Sequence, residues 1–121
     1  MKTKVEVLDT FFKEVWTNEN TAKIKELFVP DQGDQKTAGG LRREEQLSPD
    51  DFASFQQALL ALVKDMTITI DQFIEKGDWL VARCTVTAKS RKTGDSVQMT
   101  GCCWGRITDG KIREAHNFFG F

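Results

Sequence analysis

The dipeptide Asp109-Gly110, close to the C-terminal end, constrains the fold more than any other feature of the sequence. Asp-Gly tolerates the positive φ angles of a type I′ turn, so it is the strongest short signal for a β-hairpin. Thr108 and Lys111 would close a two-residue loop around it. The stretch over residues 96–121 is therefore predicted to form one long hairpin.

A two-residue turn also predicts which residues face each other across the hairpin. Counting back from the turn places Cys103 opposite His116 and Gly105 opposite Glu114. Because side chains alternate along a strand, these four residues are predicted to share one face. That face also holds, by the same count, Ile107 with Ile112, Gly101 with Phe118, and Met99 with Gly120. A bulge would exchange the faces beyond it, and Gly101 and Gly105 favour one.

Three amphipathic helices are predicted in the first half of the chain. Apolar residues recur at helical spacing over residues 2–16 and in a short segment that ends before Pro30. A third helix begins at Ser48-Pro49, where serine can cap the helix and proline suits its first position. It is predicted to end near Val63.

From Met66 onward the hydrophobic period changes to two, which indicates strands on either side of Gly77-Asp78. In the predicted register Arg83 lies on the same face as the isoleucines of the first strand. Helices followed by four strands with short turns predict one α+β domain over residues 1–121, with the helices on one face of an antiparallel sheet.

Residues 31–47 form the only long irregular segment, and they are polar and rich in glycine. In a small domain, a loop of this length is usually either a functional lid or disordered.

Charge and cysteine content limit the partners of the chain. With 17 Lys and Arg against 18 Asp and Glu, the net charge is −1, which favours neither nucleic acid nor an anionic membrane as a partner. No apolar run approaches transmembrane length, and the N-terminus reads as an amphipathic helix and not as a signal peptide. Three cysteines, two of them adjacent, argue against a disulfide scaffold. A cytoplasmic protein with reduced, buried thiols is expected.

Three phrases, FFKEVWTNENTAKIKELFVPD, IEKGDWLVARCTVTAKS and ITDGKIREAHNFF, resemble the SnoaL-like branch of the NTF2-like superfamily. The resemblance spans almost the whole chain and is weakest over residues 31–47. It implies a cone, in which a strongly curved antiparallel sheet wraps around helices and leaves a deep apolar pocket. It also implies homodimers through the convex sheet face, where Trp104, Phe119 and Phe121 would form an apolar patch that a monomer rarely exposes.

The resemblance does not decide the chemistry, because the family includes polyketide cyclases, isomerases, dehydratases, hydrolases and proteins with no known reaction. The aspartate that the cyclases use as acid/base falls on Gly120, and the histidine that often follows their middle strand falls near Ser90. Both departures remove a titratable group and argue against cyclase chemistry.

His116 is the strongest candidate for catalysis, because a pocket-facing imidazole could transfer a proton next to a substrate carbonyl. The alternative is a buried histidine hydrogen-bonded to Glu114 or to backbone. Glu114 is either a second proton-transfer group or a carboxylate that is exposed or paired with arginine. The predicted register would also permit a thiolate–imidazole pair with Cys103, although a cysteine inside a strand is more often apolar filler.

The remaining polar candidates have weaker signals. Asn117 would polarise a ligand oxygen if a bulge turned it inward, and otherwise satisfies edge backbone groups. Arg83 and Asp71 are either polar groups of the pocket or structural hydrogen-bonding residues. One histidine and two vicinal cysteines lack the spacing of a zinc site, and the Gly-Gly pair of the loop lacks a following Lys-Ser/Thr. No metal or cofactor is expected.

Aromatic residues of the helices are either core or the wall of a ligand cavity: Phe12, Trp16, Phe28, Phe52 and Phe55. With Met99, Cys103 and Phe118 they would suit a small apolar or aromatic molecule. The sequence thus favours a ligand-binding protein of this fold, with an enzyme of cyclase, isomerase or dehydratase type that uses His116 as the alternative.

Overall fold

The computed structural model describes residues 2–30 and 48–120, with the side chains of residues 118–120 outside the description. The predicted loop over residues 31–47 and the predicted surface residue Phe121 therefore lie outside the described residues. The same holds for the side chains of Phe118 and Phe119.

Within residues 2–30 and 48–120, three helices precede four strands. The helices are α1 (Lys4–Phe11), α2 (Ala22–Leu27) and α3 (Pro49–Leu60), and a π-helical segment (Phe12–Thr17) continues α1. The strands are β1 (Val63–Lys76), β2 (Trp79–Ser90), β3 (Ser96–Thr108) and β4 (Lys111–Gly120). They form an antiparallel sheet in chain order, β1-β2-β3-β4. The predicted α+β order of helices and then a meander is confirmed.

Helix starts follow the capping chemistry of the sequence. Thr3 Oγ1 accepts from the Glu6 backbone N–H at 3.2 Å, and Glu6 Oε1 accepts from the Thr3 N–H at 2.9 Å, which is a complete capping box. Ser48 caps α3 in the same way, accepting from the Asp51 N–H at 3.1 Å with Pro49 at the first position. The start predicted for α3 is confirmed, whereas the helix ends at Leu60, earlier than expected, because β1 begins soon after.

The single helix predicted over residues 2–16 is wrong in one respect, because its second half is π-helical. π-helical turns are rare and are frequently found at functional sites. The wider turn buries Phe12, Val15 and Trp16 together. Phe12 and Trp16 also line the cavity that is described below.

A buried glutamine connects the π-helical segment to α3. Gln56 is fully buried, and its Nε2 donates to the Val15 carbonyl at 2.7 Å while its Oε1 accepts from Thr21 Oγ1 at 2.8 Å. Both ends of one carboxamide are thereby satisfied, as burial of such a group requires. Gln56 holds the C-terminal end of the π-helical segment against α3.

The change Gln56→Leu is expected to lower the free energy of unfolding by about 1–3 kcal/mol, because it leaves the Val15 carbonyl and the Thr21 hydroxyl without their partner. Gln57→Leu at the exposed neighbouring position is the matched control, with an expected change within about 0.5 kcal/mol. Urea denaturation of both variants measures the difference. Equal stability of the two variants would contradict the structural role of Gln56.

A bulge in β1 changes the predicted faces of the first two strands. Ile70 pairs with Cys84 and Gln72 with Arg83, which leaves Asp71 as an extra residue whose carboxylate accepts from Thr85 Oγ1 at 2.6 Å. The predicted common face of the isoleucines is therefore wrong. Ile68 and Ile70 face the helices with the buried residues of β2, whereas Ile74, beyond the bulge, pairs with Val81 on the outer face.

A bulge in β4 overturns the predicted register of the terminal hairpin. Thr108 pairs with Lys111 and Ile107 with Ile112 as predicted, and Asp109 and Gly110 take φ angles of 53° and 72°. Beyond these pairs Arg113 is an extra residue. Its guanidinium donates to the Val29 carbonyl at 3.0 Å and to Thr108 Oγ1 at 3.1 Å.

The shift by one residue moves every later pair of the hairpin. Cys103 pairs with Asn117, and His116 pairs with Trp104 instead of Cys103. Gly105 pairs with Ala115, and Glu114 is opposite Arg106. The inner face of β4 therefore presents Ala115 and Asn117, whereas Glu114 and His116 belong to the outer face.

The hydrophobic core lies between the helices and the inner face of the sheet. Its buried residues come from every described helix and from all four strands. In β2 the inner face is an unbroken row of buried side chains: Leu80, Ala82, Cys84, Val86 and Ala88. The edge of β4 is in part covered by the chain after α2, where Phe28 forms a parallel bridge to Ile112.

Candidate functional site

A cavity of about 660 Å³ lies between the helices and the inner face of the sheet. Its size is within the range of sites that hold drug-sized molecules. The helices contribute Leu8, Phe11, Phe12, Trp16, Phe28, Phe52, Phe55 and Leu59. The strands contribute Met66, Ile68, Leu80, Val86, Met99, Cys103, Trp104, Gly105, Ile107, Ile112, Ala115, His116 and Asn117.

Aromatic rings on the helical side of the cavity pack edge to face around Phe52. Its ring centroid is 5.5 Å from that of Phe11, 5.8 Å from that of Trp16, and 6.1 Å from those of Phe28 and Phe55. The interplanar angles lie between 63° and 71°, the arrangement that aromatic quadrupoles favour. The helical wall is therefore a cluster of mutually packed rings that gives the cavity an apolar surface.

None of the described residues that line the cavity is Asp, Glu, Lys or Arg, and His116 is the one basic side chain among them. Three sulfur-containing side chains, Met66, Met99 and Cys103, line the strand side, and such side chains make favourable contacts with aromatic rings. Asn117 supplies the carboxamide of this wall and is exposed. The site is therefore apolar in its depth and polar at its open side.

Most of the predicted site residues border this cavity: Phe12, Trp16, Phe55, Met99, Cys103, His116 and Asn117. Arg83 does not, because its side chain is exposed on the outer face, where its position pairs with Gln72 and Cys102. Glu114 is also placed on the outer face, by the bulge at Arg113. The side chain of Phe118 lies outside the described residues.

His116 borders the cavity, but its imidazole contacts groups of the outer face. The ring stacks on Trp104 with a centroid distance of 5.8 Å and an interplanar angle of 25°. Its Nε2 lies 2.8 Å from Glu114 Oε2, and the two side chains are 12% and 2% exposed. The predicted thiolate–imidazole pair with Cys103 is not formed. His116 pairs with Trp104, and Cys103, the residue before Trp104, points to the opposite face of the sheet.

Cys103 has another thiol as its neighbour. A hydrogen bond with the Cys84 thiol and burial in the core raise the pKa of Cys103 far above its ordinary value. The thiol therefore stays protonated, and a protonated thiol is a poor nucleophile. All three cysteines are free, and Cys102 is exposed, so the expectation that the thiols are buried holds for Cys84 and Cys103 only.

Thiol titration with 5,5′-dithiobis(2-nitrobenzoate) is expected to give one fast equivalent in the native protein and three after unfolding, because Cys102 alone is exposed. The Cys102→Ser variant should lose the fast reaction. Fast labelling of Cys103 in that variant would contradict its burial and its raised pKa.

The outer face of the sheet presents a row of side chains across all four strands, apolar in β1, β2 and β3 and a histidine in β4. Ile74 pairs with Val81, Val81 with Trp104, and Trp104 with His116. Ile74 is 71% and Val81 45% exposed. Trp104, the described member of the predicted patch, belongs to this outer row, whereas the side chain of Phe119 and residue Phe121 lie outside the described residues.

Sequence reasoning missed several residues of the cavity. Leu8, Phe11 and Leu59 belong to the apolar stripes that predict the helices, and the period of a stripe gives no sign of an open space beside it. Ala115 falls on the outer face when the register is counted without the bulge at Arg113, and on the inner face with it. No signal in the local sequence distinguishes a stripe that fills a core from one that lines a hollow.

A curved antiparallel sheet that closes an apolar cavity against helices defines a class of small α+β proteins with one internal chamber. The family model of the SnoaL-like domain matches residues 8–115. The chain belongs to the SnoaL-like domain family, as its sequence resemblance indicated. None of the curated proteins compared with the chain matches it.

Solved structures of low sequence identity share the fold. IdmH from Streptomyces antibioticus, provisionally described as a polyketide cyclase, is 21% identical with a TM-score of 0.76, covering 98% of this chain and 92% of its own. A hypothetical protein of ketosteroid isomerase-like fold from Catenulispora acidiphila, in complex with trimethylamine, is 14% identical with a TM-score of 0.75 over 98% and 88% of the two chains. An LEH-like epoxide hydrolase from M. tuberculosis is 14% identical, with a TM-score of 0.68, and the match covers 96% of this chain and 81% of the hydrolase.

Two further findings concern the described residues alone. No helix there combines the length and the apolar character needed to cross a bilayer. No group of three or more His, Cys, Asp or Glu side chains among them is placed to hold a metal ion.

Proposed function

We propose that the protein binds a small apolar or aromatic molecule in the cavity between its helices and its sheet. The observation that carries this proposal is the cavity itself, about 660 Å³ in volume and lined almost wholly by apolar side chains. Protein interiors are normally packed with few voids larger than a water molecule. An apolar hollow of this size is therefore a ligand site by default.

The lining residues support an aromatic ligand in particular. The ring cluster around Phe52 offers edges and faces for stacking. Met66 and Met99 on the facing wall supply flexible thioethers that adapt to the shape of a flat ring. The relatives described as a polyketide cyclase and as an epoxide hydrolase share this fold but differ in their described activities, so the fold alone leaves the ligand open.

Nile red, an uncharged dye that fluoresces in apolar surroundings, provides the test. Its fluorescence is expected to rise on titration with the protein and to saturate at one dye per chain. The variant Val81→Glu, altered on the exposed outer row, should bind the dye as the wild type does. Absence of saturable binding, or its loss in Val81→Glu, would contradict the proposed cavity site.

A second candidate function is proton-transfer catalysis by His116. The observation that favours it is the 2.8 Å contact with Glu114, because a buried carboxylate that orients an imidazole is common in acid/base sites. His116 borders the cavity. The position of the family's catalytic aspartate is occupied by Gly120, so His116 would have to act in its place.

Exchange of the α-protons of 2-tetralone in D₂O, followed by NMR, tests this second function. An enzyme of isomerase or cyclase type is expected to accelerate the exchange, with His116 removing a proton from carbon and returning a deuteron. The acceleration should be lost in His116→Gln. Equal exchange rates in the wild type, the variant and buffer would end the catalytic assignment.

A homodimer through the outer, convex face of the sheet and a cytoplasmic location also belong to the proposal. The outer row of Ile74, Val81 and Trp104 supports the dimer, because two of these neighbouring apolar side chains are exposed and the third is half-buried, and an apolar patch of this kind is typical of an interface. Light scattering at micromolar concentration should report a dimer for the wild type and a monomer for Val81→Glu. A monomeric wild type would contradict it.

A further inference from the structure

We propose that the ligand is uncharged and flat, with one hydrogen-bonding oxygen that the Asn117 carboxamide holds at the open side of the cavity. This inference rests on the proposed ligand-binding function and adds to it the chemical class of the ligand and its orientation.

The charge of the ligand follows from the composition of the wall. The described residues that line the cavity include no Asp, Glu, Lys or Arg. A charged ligand would therefore lose its hydration without gaining a counterion, and an unpaired buried charge is costly. His116, the one basic side chain among the described lining residues, is already in contact with the Glu114 carboxylate on the outer face. An anion or a cation would thus bind poorly.

Aromatic walls can hold cations on their ring faces, and the cages that bind quaternary ammonium ligands direct several ring faces at one open centre. Here the rings of Phe11, Trp16, Phe28 and Phe55 each contact the ring of Phe52 at angles of 67°, 63°, 71° and 71°. The cluster is therefore organised around one of its own rings, which favours a flat neutral ring system as the occupant.

The polar end of the ligand is assigned by Asn117. The bulge at Arg113 pairs Asn117 with Cys103 and so turns it to the inner face, where it lines the cavity. No hydrogen bond of the Asn117 carboxamide to another described residue is found, and the residue is exposed. A carboxamide both donates and accepts, so it suits a hydroxyl or a carbonyl oxygen.

The position of Asn117 also sets the orientation of the ligand. Its exposure places the carboxamide at the open side of the cavity, whereas the buried rings of Phe11, Trp16 and Phe28 and the buried Cys103 form the inner walls. The ring system would enter first and pack against Phe52 and its neighbours. The oxygen would stay at the mouth, where water can share its hydrogen bonds.

Four naphthalenes of the same shape test the charge and the polar contact by equilibrium dialysis: naphthalene, 2-naphthol, 2-naphthoate and the trimethyl(2-naphthyl)ammonium ion. We expect 2-naphthol to bind about 3- to 10-fold more tightly than naphthalene, the effect of one neutral hydrogen bond. The anion and the cation should bind at least about tenfold more weakly than 2-naphthol.

Two variants separate the Asn117 contact from general effects on the fold. Asn117→Ala should weaken 2-naphthol to the affinity of naphthalene and leave naphthalene unchanged. Gln98→Ala, a carboxamide removed from the exposed outer face of β3, should change neither.

Each outcome decides a different statement. If none of the four compounds binds, the proposed ligand-binding function fails together with this inference. If naphthalene and 2-naphthol bind but an ion binds as tightly as 2-naphthol, the uncharged class is wrong while the binding function stands. If Asn117→Ala weakens both neutral compounds equally or neither of them, the polar contact is wrong.

Discussion

Replacement of Gly105 by alanine is expected to lower the free energy of unfolding by about 1–3 kcal/mol, the range observed when extra atoms are forced into a packed interior. A β-carbon at this position would lie 2.6 Å from the Glu114 carbonyl oxygen and 3.7 Å from the Ala115 Cα. Both are backbone atoms of the strand that carries the bulge at Arg113, so they cannot move aside as the end of a side chain could.

Urea denaturation measures this effect, and Cys102→Ala is the control, a substitution on the exposed outer face of the same strand. We expect the control to change stability by less than about 0.5 kcal/mol. If Gly105→Ala is as stable as the wild type, the close approach of β3 and β4 at the bulge is wrong, and with it the shifted register of the hairpin.

Filling the cavity is expected to remove most of its ligand affinity. Leu59 lines the cavity from α3, and Leu59→Trp would place an indole where a ligand ring should lie. An overlap of this kind costs about 1–3 kcal/mol, which corresponds to a loss of about 5- to 150-fold in the affinity for 2-naphthol.

Leu62→Trp is the matched control, because the same substitution three positions later falls on a side chain that is 66% exposed and does not border the cavity. It should bind 2-naphthol as the wild type does. Equal losses in both variants would indicate a general effect on the fold, and no loss in Leu59→Trp would place the ligand elsewhere.

The elements of this fold were predictable because their signals are local. The Ser48 cap and Pro49 determine the start of α3 within a few residues, and the positive φ angles of Asp109 and Gly110 determine the tip of the hairpin. The alternation of β2 likewise separates its buried and exposed faces without reference to the rest of the chain.

The register beyond the tip was not predictable, because its causes are distant in the sequence. Arg113 is stabilised as an extra residue by the Val29 carbonyl, 84 positions away, and by Thr108. Gly105 permits the close approach of Glu114. The sequence shows that a glycine in β3 favours a bulge nearby. Tertiary contacts decide that the extra residue lies in β4 instead.

The candidate site shows the same division. The aromatic residues of the helices were recognised from their spacing, because an apolar stripe is visible in the sequence. The surroundings of His116 could not be predicted, because they depend on the extra residue Arg113. This residue places His116 opposite Trp104 instead of Cys103 and brings Asn117 to the inner face. The polar group of the cavity wall thus depends on a bulge that no periodicity reveals.

Methyl NMR tests most directly whether the cavity is a ligand site. Met66 and Met99 line it, whereas Ile74 is 71% exposed on the opposite face of the sheet. In a protein labelled at the Met ε and Ile δ1 methyl groups, with assignments from Met66→Leu and Met99→Leu, a titration with 2-naphthol should shift both methionine signals to saturation and leave the Ile74 signal in place. If both methionine signals stay unchanged, or all methyl signals shift alike, the cavity does not bind this ligand and the account is wrong.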